Sequence, residues 1–251
     1  MTPYGESVPR QAQGRLWCPK DPVGTYDDEF TADTIAAGTW AQTGTWSAAT
    51  PPDPFAAFAA GNIRYSIGRS WLKIQPPADG VLYMLHKQLG GGLLPDGTYQ
   101  LGVHSAWRDG STAGPDASVR LTLSATAAGP PPTPDWTNDS IFCYLYNSAG
   151  QRPRASSSGR QGGGGLTTYT ITPMDYNVHI TDLVIIKDGT LYDCYACGTT
   201  GYYVHLGEYN YGGAATIDRV VISVVNTSSA TPGNQIVGVD YFRYNNSGML
   251  P

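Results

Sequence analysis

The stretch "IVGVDYFRY" occupies residues 236–244. Its apolar and aromatic residues suit a β-strand, yet an Asp and an Arg sit inside it. Successive strand side chains point to opposite faces. Alternation predicts Val237, Val239, Tyr241 and Arg243 on one face. It puts Ile236, Gly238, Asp240, Phe242 and Tyr244 on the other. Asp240 and Arg243 then leave opposite faces, which disfavours a catalytic pair within the strand. Each is expected to meet a neighbouring strand or loop at the edge of the core, because a lone buried charge is costly. The stretch reads as the closing strand of a sheet.

The rest of the chain has the same rhythm. It has 251 residues, with 31 Gly, 19 Pro and 17 Tyr, and only 14% are charged. Gly and Pro supply turns, and Tyr suits a pleated, half-buried surface. Hydrophobic residues make up 41%, enough for a substantial core. Strand-like runs separated by turn signals recur from "GTWAQTGTWS" (38–47) onward. In "TYQLGVHSAW" (98–107), Tyr99, Leu101, Val103 and Ser105 share one face, a period of two. "KDGT" (187–190) carries Asp-Gly between two apolar runs, a strong hairpin signal. About a dozen strands at hairpin spacing predict an all-β, antiparallel double-layer sandwich.

Residues 1–26 are polar, Pro-broken and without hydrophobic period. Leu16, Trp17 and Cys18 are costly to leave in water, so this segment is read as an arm that docks on a neighbouring subunit or folds back on its own domain. The domain proper is expected over 27–245, with a short tail at 246–251.

Several function classes find no support. Net charge is −5 and no basic cluster appears, so the field that draws nucleic acid is missing. No run approaches the roughly 18 apolar residues of a membrane span, and "MTPYGESVPRQAQGRLW" has no apolar export core. These features predict synthesis in a cytosol, without membrane insertion. "CYAC" (194–197) is a lone C-x-x-C with no second pair or His at zinc-finger spacing. It reads as two small strand cysteines. No cofactor or metal site is expected.

Glycoside hydrolysis normally needs two carboxylates facing one cleft. Glu occurs only at positions 6, 29 and 208, and no strand carries a row of acids on one face. A hidden Asp pair stays open, but the reading is a non-enzymatic protein. Aromatics remain, because sugar C–H faces stack on rings. Trp107, Arg108 and Asp109 end one strand run. Tyr202, Tyr203, Tyr209 and Tyr211 surround another loop. Both are candidate carbohydrate-binding platforms; the alternative is that the tyrosines pack on a sheet or a subunit interface.

"DDEF" (27–30), the following Trp strand, "WLKIQPP" (71–77) and "VGVDYFRY" (237–244) together resemble the concanavalin A-like lectin/glucanase (LamG-type) jelly roll. The version found in bacteriophage tail and head proteins is the nearest in pattern. The resemblance spans about residues 26–245. It implies a concanavalin A-like jelly-roll β-sandwich with an extended N-terminal arm, whose first and last strands bring "DEF" beside "VDYFRY". It further implies a virion structural protein (decoration, fibre or tail-tip module), assembled in the host cytoplasm. Such a protein would contact other virion proteins through the arm and touch a host-surface glycan with its outer loops. Many copies would make weak sites useful, so a homo-oligomer, such as a trimer, is expected. A glycan-degrading hydrolase of the same fold is the alternative, as is a particle component without ligand.

Overall fold

The structure, a computed structural model, describes residues 7–9, 24–48, 62–67, 72–77, 81–106, 117–125, 139–147, 154–161, 167–173, 181–197, 202–211, 216–226 and 236–250. The described residues form strands and turns and no α-helix, so none is long and apolar enough to cross a membrane. The strands are β1 (Ser7–Pro9), β2 (Ala41–Gln42), β3 (Thr45–Ala48), β4 (Asn62–Ile67), β5 (Leu72–Gln75), β6 (Leu82–Gln88), β7 (Gly97–Ala106) and β8 (Ala117–Ala125). There follow β9 (Ser140–Asn147), β10 (Arg154–Arg160), β11 (Thr167–Pro173), β12 (Thr181–Asp188), β13 (Leu191–Cys197), β14 (Tyr202–Asn210), β15 (Ile217–Asn226) and β16 (Ile236–Asn245).

They make two sheets. One has nine strands in the order β1-β14-β13-β12-β7-β16-β5-β4-β3, the other seven in the order β11-β10-β9-β8-β15-β6-β2. All pairings are antiparallel except β3 with β4. The predicted sandwich is therefore present, with consecutive strands often in different sheets.

Period-2 alternation builds the core between the layers. Tyr99, Leu101 and Val103 of β7, Leu183 and Ile185 of β12, and Val237 and Val239 of β16 face it from the large sheet. Leu121 and Leu123 of β8, Ile141 and Leu145 of β9, and Ile222 and Val224 of β15 meet them from the other. Each such side chain contributes about 1.5–3 kcal/mol relative to exposure.

The closing strand departs from strict alternation. Its register against β7 slips between Val239 and Tyr241, a bulge that adds one residue. Val237, Val239 and Phe242 consequently all reach the core, while Tyr241 faces outward. The predicted grouping of Tyr241 with Val237 and Val239 is thus wrong beyond the bulge.

The opening acidic segment lies against this strand, as the resemblance implies. Asp28 and Phe242 exchange backbone hydrogen bonds of 2.9 and 2.8 Å. Asp27 Oδ1 accepts from the Tyr244 amide at 2.9 Å, and Glu29 Oε1 accepts from Arg243 Nε at 2.8 Å. Asp28 is buried and accepts from the Phe30 amide and from Trp40 Nε1, both at 2.8 Å. That first bond supports Phe30, a non-glycine at φ 45°. Lys87 Nζ sits 4.2 Å from the Trp40 ring centre and 4.7 Å from that of Phe242, and donates to the Tyr26 carbonyl. Burial lowers its pKa to about 8, against the opposing pull of Asp28 and Asp27. Arg243 therefore has a structural partner in Glu29.

β1 pairs with β14, Ser7 opposite Val204. Residues 7–9 of the predicted arm thus fold back on the chain's own large sheet. Leu16, Trp17 and Cys18 lie outside the described residues. At the other end, the Met249 carbonyl accepts from Thr98 Oγ1 at 2.8 Å, and Leu250 packs on the outside of the large sheet.

Candidate functional site

The hairpin β12–β13 fixes one side of the candidate site. Asp188 pairs with Leu191, leaving Gly189 and Thr190 as a two-residue loop. Gly189 has φ +58° while Thr190 does not go positive, the signature of a II′ turn. The sequence signal at "KDGT" was sound, but the turn centres on Gly-Thr, one residue later than Asp-Gly. Asp96 Oδ1 holds the turn, accepting from the Gly189 amide at 3.1 Å and from Lys187 Nζ.

This hairpin sets the alternation of β13. Tyr192, Cys194 and Ala196 face the core, while Asp193, Tyr195 and Cys197 face outward. Cys194 and Cys197 therefore lie on opposite faces of one sheet, which excludes a dithiol pair in this fold. Cys194 instead stands among the core side chains with Cys143, and burial pushes its thiol pKa well up.

β14 carries a bulge opposite β13: Cys194 pairs with Gly207, and Tyr195 with His205. The extra residue, Leu206, inverts the alternation. Tyr203 and His205 face outward before it; Glu208 faces outward after it, and Tyr209 and Tyr211 turn inward. Asp193 then stands directly opposite Glu208. Directly opposed residues place their Cβ atoms about 4.5–5.5 Å apart. His205 Nε2 donates to Asp193 Oδ1 at 3.1 Å, and the His205 ring lies 5.0 Å from that of Tyr195. Burial, reinforced by Asp193, Cys194 and Glu208, raises the Tyr195 pKa to about 12. Asp193 and His205 are half-buried and Glu208 is exposed.

Next to this group on the same outer face lies a buried polar centre. Asp182 accepts from Tyr241 Oη at 2.5 Å and from Tyr203 Oη at 3.3 Å. Gln100 Nε2 donates to Tyr241 Oη at 3.1 Å. The Tyr241 ring lies over Gly102, where an added Cβ would approach a ring carbon to 2.6 Å. The Arg243 guanidinium lies 4.5 Å from the same ring. This centre is closed and satisfied; the Asp193–His205–Glu208 group is open. Among the described residues no group of three or more His, Cys, Asp or Glu is arranged to hold a metal.

The predicted sugar platforms fare differently. Trp107, Arg108 and Asp109 lie outside the described residues, as does the side chain of Tyr202. Tyr203 is buried against Val184 and Cys197, with its hydroxyl on Asp182. Tyr209 is in the core, its hydroxyl 2.9 Å from Ser157 Oγ. Tyr211 is in the core too, donating to the Ser140 carbonyl at 2.8 Å. Buried rings offer no stacking face, so Tyr203, Tyr209 and Tyr211 are corrected to packing residues. The Leu206 bulge is the cause for the last two. Asp193, His205 and Glu208 carry no signal in the sequence, because alternation along one strand does not show which residues oppose one another across two.

No protein-family model matches the sequence, and no curated protein matches it. Solved structures do. SCLam, a non-specific endo-β-1,3(4)-glucanase from family GH16, is 12% identical, with a TM-score of 0.55, over 96% of this chain and 94% of its own. LamAcat from Zobellia galactanivorans is 10% identical, with a TM-score of 0.56, over 89% and 97%. The CBM2 module of the evolved Dit of Lactobacillus casei BL23 phage J-1 is 10% identical, with a TM-score of 0.57, over 96% of both chains. The expectation of a non-enzymatic module is overturned here: it rested on the want of a single acidic strand, and this fold, over nearly the whole chain, includes an endo-glucanase. At these identities the likeness establishes architecture: the chain folds as a jelly-roll β-sandwich of the kind found in glycan-cleaving and glycan-binding proteins.

Proposed function

We propose that the chain is a glycan-active jelly-roll domain that cleaves β-linked glucans at the outer face of β13 and β14. The observation that carries this is the directly opposed pair Asp193 and Glu208, with His205 fixing Asp193. Retaining glycosidases hold their two carboxyl groups about 5–5.5 Å apart, one attacking the sugar carbon and one passing the proton. A directly opposed cross-strand pair, with Cβ atoms about 4.5–5.5 Å apart, can bring its carboxyl groups to that spacing. Asp193, oriented by His205, is the attacking group; Glu208, exposed on the facing strand, protonates the leaving oxygen and later activates water. The endo-glucanase neighbours support β-glucan as the substrate to try first. Laminarin and mixed-linkage β-glucan should release reducing ends with the native chain. Asp193→Asn and Glu208→Gln should each lower the rate by about 10²–10⁴-fold. No release from either polymer contradicts the reading.

A second reading concerns where such a domain works. The phage Dit module matches over almost its whole length, which supports a place on a virion, contacting a host-surface glycan. Other virion proteins would be met through the part of residues 1–26 not paired to β14, and several copies would act together. Light scattering on the purified chain reads the copy number; a monomer at all concentrations counts against the multivalent form.

A further inference from the structure

The two layers are pinched together at one place, and two thiols lie in the pinch. Stacked sheets usually run about 10 Å apart. Here Cα atoms of β9 come within 8 Å of those of β12 and β13, and β10 comes as close to β14. Small residues make the approach possible. Cys143 of β9 is directly opposite Ser157 of β10, and Cys194 of β13 is directly opposite Gly207 of β14. Polar atoms of one sheet consequently touch the backbone of the other. Cys143 Sγ donates to the Val184 carbonyl at 3.5 Å, and Ser157 Oγ donates to the Leu206 carbonyl at 3.0 Å.

This places the Cys143 sulfur beside Cys194. Val184 precedes Ile185, and Ile185 is directly opposite Cys194 in the β12–β13 ladder. The two thiols are within hydrogen-bonding reach of each other, and the Ser157 hydroxyl reaches Cys194 as well. Both thiols are free and 0% exposed. Neither belongs to the outer-face carboxylate group, because alternation on β13 turns Cys194 into the core, away from Asp193. One thiol sits in each layer, so a bond between them joins the two sheets covalently through the core.

We infer that Cys143 and Cys194 form an inter-sheet disulfide by exchange with a small-molecule disulfide as the layers assemble. One cysteine thiolate attacks the small disulfide, which forms a mixed disulfide and releases one small thiolate. The second cysteine thiolate attacks the bonded cysteine sulfur and releases the other. The protein loses two electrons and two protons; the small disulfide gains them and leaves as two thiols. Disulfide Cα atoms sit about 5.5–6 Å apart, so bonding tightens a contact that the small side chains already allow. The native core seals both sulfurs, so exchange takes place before the layers close, and the folded thiol form resists it. The bond does not depend on cleavage at Asp193 and Glu208.

The test uses the full chain carrying Cys18→Ser and Cys197→Ser, the other two cysteines, so that only this pair can bond. Unfolded chain is refolded in a mixture of oxidised and reduced glutathione, blocked with iodoacetamide and digested. Mass spectrometry should find the peptides of Cys143 and Cys194 joined and unblocked. The unsubstituted chain, mapped in the same way, should show the same joined peptides. The bonded form should keep its β-sheet circular dichroism and unfold about 5 °C or more above the same chain treated with a reductant. Chain folded first as the thiol form should bond at least about tenfold more slowly in the same mixture. Refolded chain whose two thiols are blocked or carry glutathione overturns the inference, as does a bonded form that unfolds no higher than the reduced one. Bonding at an equal rate from the folded thiol form overturns its formation during assembly.

Discussion

Two sets of carboxylates in this molecule sit in opposite surroundings. Asp28, Glu29 and Asp182 are buried, and each accepts from donors the fold brings to it: Trp40 and the Phe30 amide, Arg243, and Tyr241 with Tyr203. Asp193 is half-buried and Glu208 exposed; they face one another across a ladder, and Asp193 accepts from His205. The first set is what a fold does with charge it has to bury. The second sets two carboxylates side by side on an open face, and it is on this pair that the proposed chemistry rests.

Removing members of the two sets should therefore separate stability from activity. Asp28→Ala should have the largest effect. It strips acceptors from the Trp40 N–H and the Phe30 amide and removes the carboxylate that most favours the Lys87 charge. About 3–5 kcal/mol of stability should be lost, read as a drop in the urea midpoint. Asp182→Ala comes next: the Tyr203 and Tyr241 hydroxyls lose a buried acceptor, at about 1.5–3 kcal/mol. Gly102→Ala, which drives a Cβ into the Tyr241 ring, should cost about 1–3 kcal/mol with the acids intact. Asp193→Asn and Glu208→Gln should change stability by less than about 0.5 kcal/mol. A large loss from either would move that residue into the structural set.

Lys87 extends the comparison to pH. Its folded pKa of about 8 lies below the ordinary 10.5. Between these values the unfolded chain binds more protons than the folded one, so stability rises as pH increases through this window. Tyr65, Tyr192 and Tyr195 act in the other direction. Their folded pKa values are about 12, so above pH 10 the unfolded chain ionises first and stability falls. Unfolding midpoints should rise from pH 8 toward 9.5 and decline beyond 10. Lys87→Met should flatten the rising limb.

Much of the frame was legible. "DDEF" and "VDYFRY" meet as the resemblance implied, because each acid has a donor within the closing strand or the core beside it. What alternation cannot reveal is a bulge. Tyr241 and Phe242 are both aromatic, so either could face the core, and nothing in the pattern says that one residue slips out of register. The Leu206 bulge had the larger consequence. It sent Tyr209 and Tyr211 into the core and brought Glu208 opposite Asp193. Register between β13 and β14 changes at that bulge, which the strands' own composition does not mark, so the carboxylate pair is not legible along either strand alone.

The central claim is that the cross-strand pair Asp193 and Glu208 does the chemistry as a closely spaced carboxylate pair. Proton NMR of the first sugar released from laminarin tests it most directly, because the separation of the two carboxyl groups dictates the stereochemical course. The account predicts a product that retains the anomeric configuration of the cleaved bond and is absent with the Asp193→Asn Glu208→Gln chain. An inverted product, or release that persists in that double variant, would contradict it.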